Sequence, residues 1–200
     1  MSELLTTYCH GADIVEHVDA LAALRIRVFR DFPYLYDGDI DYERDYLATY
    51  TGSPRSLAFL VHDGDRLIGA TTALPLVDEE AAFREPLQAA GVDTARVFYF
   101  GESLLVPEYR GRGLGHAFFD AREAWARQAG DFDIACFCAV QRPHDHPLRP
   151  HGYQPLDGFW RKRGYQRRDD ISASYRWQDV DEPVETDKRL VFWLRHLADE

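Results

Sequence analysis

No run of the sequence approaches the ~20 consecutive apolar residues that a membrane-crossing helix needs. The N-terminus, Met1-Ser2-Glu3-Leu4, has no basic stretch followed by an apolar one, so no secretory signal is read there. Cysteine is scarce. Cys9, Cys136 and Cys138 are an odd number without metal-ligand spacing, and the last two, being two apart, share one face of a strand. They read as small buried hydrophobes rather than as redox or metal groups. A reducing cytoplasm is the expected compartment. Internal repeats and low-complexity linkers are missing, and aromatic residues run through the whole length, which argues against a long disordered tail. A basic excess is missing too. The net charge is −11; residues 1–95 hold 17 Asp/Glu against 7 Lys/Arg, whereas residues 96–200 hold 17 against 16. An acidic half repels phosphate backbones, so nucleic acid is not an expected partner, and neither is a membrane.

What is present fits one domain with a full-sized core: 200 residues, 46% hydrophobic and 28% charged. A strand is expected at 3–9. A helix is expected at 13–29, with Ile14, Val18, Leu21, Leu24, Ile26 and Val28 giving an imperfect apolar face. A loop rich in Asp covers 30–40 and a short helix 41–50. Ser56–His62 and Arg66–Leu74 are β-rich runs joined at Asp63-Gly64-Asp65, a hairpin signal. A helix at 79–90 and a buried strand at 96–106 follow. Leu114, Ala117, Phe118, Ala121 and Trp125 then form one helical stripe that Gly130 closes; Glu123 and Arg127 are spaced for an ion pair on another face. A strand at 133–140, a Pro/His-rich loop at 142–152, a helix at 155–163 and strands at 171–178 and 188–197 complete the order. Strands alternating with helices predict an α/β (α+β layered) fold, a mixed sheet covered by helices.

The informative segment runs from the buried strand into Arg110-Gly111-Arg112-Gly113-Leu114-Gly115, which opens the clearest helix. Glycines let a backbone approach a bulky anion. The unpaired N–H groups and dipole of a helix start attract one. A phosphate-binding loop of the Gly-Lys-Ser/Thr type is excluded, because that tripeptide is missing. The dinucleotide fingerprint fails as well, since His116 stands where its third glycine belongs. The spacing that remains is Arg110, Gly113 and Gly115, R-x-x-G-x-G.

Leu104-Leu105-Val106-Pro107-Glu108-Tyr109-Arg110-Gly111-Arg112-Gly113-Leu114-Gly115 resembles the acetyl-CoA signature of the GNAT acetyltransferases. Phe159-Trp160-x-x-x-Gly164-Tyr165 is similar to a later segment of the same family, and the element order matches over nearly the whole chain. The resemblance implies one domain over 1–200, with 1–95 mainly on the acceptor side, 96–165 as the acetyl-CoA core and 166–200 as C-terminal strands. It implies a mostly antiparallel central sheet splayed between the strands at 97–106 and 133–140. N–H groups near Leu104, Leu105 and Val106 would take the pantetheine arm and thioester. Arg110, Gly111, Arg112, Gly113, Leu114, Gly115 and His116 would take the pyrophosphate. A homodimer through the final strands stays open.

Acetyl-CoA as co-substrate and an amine as acceptor need little from side chains and no metal. The amine must lose a proton, and Glu102, in the aromatic strand ahead of the signature, is the candidate base or an ammonium-binding group. Many members of the resembled family carry a Tyr, as general acid, where Trp160 stands; an indole cannot do that work, so Tyr153 and Tyr165 are the candidates. Trp160 alone favours a non-catalytic acyl-CoA-binding module, and a peptide or protein amine remains an alternative acceptor. His144, Asp145, His146 and His151 lie in a loop broken by prolines, which reads as a surface loop or a cover for the site rather than a metal centre. Asp37, Asp39, Asp41, Glu43 and Asp45 read either as a solvated loop or as a rim selecting a cationic small molecule; Tyr42 and Ala48 break any calcium-loop pattern.

Overall fold

Gly64 turns the chain with φ +59°, and Asp63 pairs directly with Arg66, so the hairpin loop is two residues rather than the three expected. This hairpin of β2 (Leu57–Asp63) and β3 (Arg66–Pro75) is the middle of one half of the sheet. The computed structural model describes residues 4–197. The strand expected at 3–9 is seen as β1 (Leu4–His10), residue 3 lying outside the described residues. Seven strands form one sheet in the order β1-β2-β3-β4-β5-β7-β6, with β4 spanning Val97–Leu105, β5 Ile134–Val140, β6 Gln166–Trp177 and β7 Thr186–His196. All pairings are antiparallel except β4 with β5. That parallel pair lasts only from Val97–Tyr99 against Ile134–Cys136. Beyond it β4 stays with β3 and β5 stays with β7, so a cleft opens between them. The mixed, mostly antiparallel sheet and its splay agree with the expectation.

The helices are α1 (Val18–Phe29), α2 (Ile40–Gly52), α3 (Ala81–Ala89), α4 (Leu114–Ala129) and α5 (Asp157–Lys162). The helix expected from residue 13 begins as a 3-10 turn over Gly11–His17 and turns α-helical only at Val18. In α4, Phe118 and Ala121 are buried as the stripe requires. The expected Glu123–Arg127 pair is not made. Glu123 is buried and turns instead to Arg163 and Arg195, each at 2.9 Å, because these reach it from α5 and β7. Strand β6 starts five residues earlier than expected. Its Arg167-Arg168-Asp169-Asp170 run reads as a loop, yet the charges pair with each other along the sheet edge, Arg167–Asp169 at 2.7 Å and Arg168–Asp170 at 2.6 Å.

Side-chain alternation along β4 sorts its residues between two layers. Phe98 and Phe100 join Phe119, Phe137, Tyr165 and Trp193 in an aromatic core under α4. Tyr99 points to the other layer, with Leu21, Leu24, Leu47 and Tyr50 from α1 and α2.

Candidate functional site

Two features of β4 build the site. Ala73 pairs with Phe100 but Thr71 pairs with Ser103, so Gly101 and Glu102 together oppose the single residue Thr72. This bulge shifts the alternation by one. Strict alternation would send Glu102 to the layer of Phe100; the bulge brings it to the side of Tyr99 and Gly101. Gly101 is required there, since a Cβ would lie 1.9 Å from Tyr50 Oη. Behind the bulge, the Glu102 carbonyl accepts from Thr71 Oγ1 at 2.6 Å and from Arg122 Nη1 at 3.3 Å. Arg122 is buried between the rings of Phe100 and Phe119, and burial lowers its pKa to about 10.

On the near side lies a cavity of ≈ 90 Å³. Gly101 and Glu102 of β4, Cys138 of β5, Tyr175 and Trp177 of β6 and Arg25, Tyr42 and Tyr46 of α1 and α2 line it. Glu102 is 5% exposed, and its Oε2 meets Arg25 Nη1 at 2.7 Å. Arg25 also binds Glu43 and lies 4.1 Å over the Tyr46 ring. Burial alone would lower the Arg25 pKa, but Glu102, Tyr46 and Glu43 outweigh it and hold the group well above its ordinary value. Glu102 Oε1 is buried with no partner among the described residues. Tyr42 and Tyr175 close the rim with a 2.7 Å hydroxyl bond, and Glu80 lies 3.4 Å from the Tyr175 hydroxyl. The Cys138 thiol is pushed up to about 12 by burial, so it is no nucleophile near neutral pH.

The signature segment adjoins the other end of the cleft. Gly111 and Gly113 have φ of +76° and +84°, and a Cβ on either would meet nothing within 4 Å. Gly113 caps α4, and no side chain among the described residues binds its first N–H groups. Leu114 and Gly115 follow half-buried, and His116 packs edge-on to Phe159 at 4.9 Å. Arg110 and Arg112 are exposed beside this start, Arg112 bonding the Glu108 carbonyl at 3.0 Å. The result is a solvent-open cradle for an anion. One expectation is corrected here. The N–H of Val106 donates to Ile68 O at 3.0 Å, so it is held in the sheet and is not free for a pantetheine arm; Leu104 and Leu105 remain beside the cleft.

The profile of the Acetyltransferase (GNAT) family matches residues 21–150. The chain belongs to the GNAT acetyltransferase family. Its chemistry is therefore acyl transfer from acetyl-CoA. Solved structures agree in fold. An N-acetyltransferase from Staphylococcus aureus Mu50 is 11% identical, with 98% of this chain and 100% of that one covered at a TM-score of 0.62. The loading GNATL domain of CurA from Lyngbya majuscula is 16% identical over 96% and 98%, also at 0.62. The yncA protein of Salmonella typhimurium, solved with acetyl-CoA, is 10% identical over 98% and 95% at 0.58. No curated protein sequence matches this GNAT chain.

The structure separates the two tyrosine candidates. Tyr165 is buried in the aromatic core and donates to Glu123 at 3.0 Å, so it does not reach the cavity; its signal, a Tyr after Gly164, is one of packing. Tyr153 is half-buried in the Pro/His loop, edge-on to Phe32 at 4.7 Å and 4.9 Å from Arg149. Burial raises its pKa. Trp160 packs on Phe137 and Trp193. The loop histidines do not converge, His146 facing Phe32 while His144 and His151 are exposed. Of the acids at 37–45, only Asp37 and Asp39 precede α2 while Asp41, Glu43 and Asp45 lie on it, and most are engaged locally: Asp37 with Arg30, Asp39 as the cap of α2, Asp41 with Arg44 and Glu43 with Arg25.

Sequence reasoning missed Glu79. It ends the 3-10 turn after β3, is 2% exposed, and its Oε2 has no partner among the described residues. Burial pushes its pKa from an ordinary 4.5 up to about 8. Between these values the folded chain keeps a proton that the unfolded chain has lost. The stabilisation from this group is complete below pH 4.5 and is lost as pH rises through about 8. Glu79→Gln is expected to remove that decline. The Tm of the variant should match the parent near pH ~4.5 and exceed it by several degrees near pH ~9, each kcal/mol being worth ~2–4 °C. Parallel Tm curves for the two proteins across that range would refute the assignment.

Proposed function

We propose that this GNAT protein is an N-acetyltransferase whose acceptor, a cationic small-molecule amine, attacks the thioester of acetyl-CoA directly. One observation carries the reading: the cleft between β4 and β5 joins an open anion cradle at one end to a cavity with an unpartnered carboxylate oxygen at the other. In this reading Arg110–His116 hold the pyrophosphate, and Leu104 and Leu105 flank the pantetheine arm. Residues 96–165 are the acetyl-CoA core of a single domain, residues 1–95 supply most of the acceptor side, and 166–200 add the strands that close it. Those strands also offer a dimer contact, and the cytoplasm is the proposed compartment. Among the described residues, no helix is long and apolar enough to cross a membrane.

The step itself forms a C–N bond and breaks the C–S bond. The amine loses one proton and the departing thiolate gains one. Glu102 has Oε2 clamped by Arg25 at 2.7 Å and Oε1 without a partner among the described residues, an arrangement that suits holding an ammonium. The proton then leaves through water once the amine is in place. Tyr153, at the edge of the loop over Phe32, is the proposed donor to the thiolate. Trp160 is a packing residue in this scheme and does not argue for a module without turnover.

The test is thiol release from acetyl-CoA across a panel of amines. Release that depends on both acetyl-CoA and an amine, with an N-acetyl product, is expected. Thermal stabilisation by acetyl-CoA without release by any amine would replace this reading with a binding module.

A further inference from the structure

The cavity narrows the acceptor further, on the basis of the N-acetyltransferase reading. Three of its lining residues carry charge: Arg25, Glu43 and Glu102. The two carboxylates share one guanidinium, which leaves the wall one negative charge in excess. Glu79 keeps its proton at neutral pH and adds nothing to this balance. The excess has a location. Oε2 of both carboxylates is taken by Arg25, and Oε1 of both is buried with no partner among the described residues; Glu43 is 0% exposed and Glu102 5%, so Glu102 is the one nearer an incoming ligand. A buried carboxylate oxygen without a donor is unfavourable, so a donor brought by a ligand would be gained at full strength.

We infer that the acceptor is a compact amine with a single ammonium and no carboxylate, docked through its nitrogen on Glu102 Oε1. The body of the molecule is apolar, because nine of the fifteen lining residues are aromatic. Their ring faces favour both an apolar body and the ammonium. The molecule is small. A cavity of ≈ 90 Å³ offers room for roughly six to nine water-sized sites at ~10–15 Å³ each. A second ammonium on a short chain would bring two positive charges to a wall with only one negative charge in excess. A carboxylate beside the amine, as in an amino acid, would find Arg25 already bound by two others and would be repelled by both. Arg25 is a positioning residue here: it fixes which oxygen of Glu102 stays free. Asp37 paired to Arg30, Asp41 paired to Arg44 and Asp39 used as a cap do not make the selection.

The experiment compares kcat/KM at fixed acetyl-CoA for a small arylalkyl monoamine, a short aliphatic diamine, the matching aromatic amino acid and a peptide with a free N-terminus. The monoamine is expected to exceed the other three by about 100-fold or more, as an uncompensated buried charge demands. Glu102→Gln should compress that spread to within about tenfold, and Glu102→Asp should restore part of it. A diamine, amino acid or peptide as best acceptor overturns this inference and leaves N-acetyl transfer standing. An unchanged ranking in Glu102→Gln also overturns it. If no amine yields an N-acetyl product although acetyl-CoA still stabilises the protein, both readings fall. The comparison on the unsubstituted protein needs no variant to fold.

Discussion

Gly113→Asp is expected to abolish the thermal stabilisation that acetyl-CoA gives the unsubstituted protein. At about 100 times its dissociation constant a ligand stabilises by ~2.7 kcal/mol. For a chain of this length that is roughly a 5–10 °C rise in Tm. Gly113 has φ +84°, stands at the first residue before α4, and faces open space where a side chain would enter. A carboxylate placed there adds negative charge where the pyrophosphate charge must go. The backbone strain of a non-glycine residue at this φ is ~1–2 kcal/mol, and Gly113→Ala carries the same strain without the charge. The alanine variant should therefore lose Tm in the absence of ligand but keep much of the acetyl-CoA shift. Gly115→Asp is the companion, since a Cβ there would stand 3.7 Å from the Phe159 ring and the fold can admit it. A full shift in both aspartate variants would refute the cradle.

The second large effect is at Glu102. Glu102→Gln should lower kcat/KM for a cationic amine by roughly 10–100-fold, the size of a lost hydrogen bond to a charged group. The loss should appear mainly as a rise in KM for the amine, with kcat changed by less than about tenfold. The reason lies in the geometry: Arg25 holds Oε2 at 2.7 Å, and Oε1 is left without a partner among the described residues to receive the ammonium. The KM for acetyl-CoA should not move. A fall in kcat of ~100-fold at constant KM would instead make Glu102 the general base. Folding is a smaller concern, because Arg25 retains Glu43 as its partner.

The parts of this molecule that were legible in its sequence are local. The hairpin at Gly64, the stop at Gly130 and the glycine turn into α4 each follow from residues within one turn of chain, and the structure has all three. The acyl-CoA end of the site belongs to this class. The acceptor end does not. Arg25 meets Glu43 and Glu102 across 18 and 77 positions, and no local pattern marks such a triad. The direction of Glu102 depends on one extra residue in β4, which alternation cannot foresee. Glu79 stands next to Glu80 in an acidic stretch that reads as surface; its burial comes from the strands and helices around it. The start of the final strand pair is hidden from sequence for the opposite reason. Arg167–Asp170 look like solvent-facing loop, yet Arg167 and Arg168 pair with Trp193 and Phe192 of β7 and residues 169–171 form an irregularity within the strand.

The wall of the cavity also sets how a molecule would get in. Arg142 ties three separate segments together: Nε donates to Pro33 O at 2.7 Å, Nη2 bonds Asp179 at 2.9 Å, and Trp177 Nε1 meets Tyr34 O at 3.0 Å beside it. Asp179 and the Arg142 side chain are nearly solvent-free, and opening a buried ion pair costs about 3–5 kcal/mol. The opposite rim rests on the exposed 2.7 Å bond between the Tyr42 and Tyr175 hydroxyls and a long 3.4 Å bond from Tyr175 to Glu80, and a neutral bond of the first kind contributes only ~0.5–1.5 kcal/mol. The doorway is thus expected between α2 and β6, with the segment 33–36 as its fixed post. Tyr175→Phe should speed acceptor exchange without altering hydrogen exchange of the 33–36 amides, and faster amide exchange there would put the hinge on the wrong side.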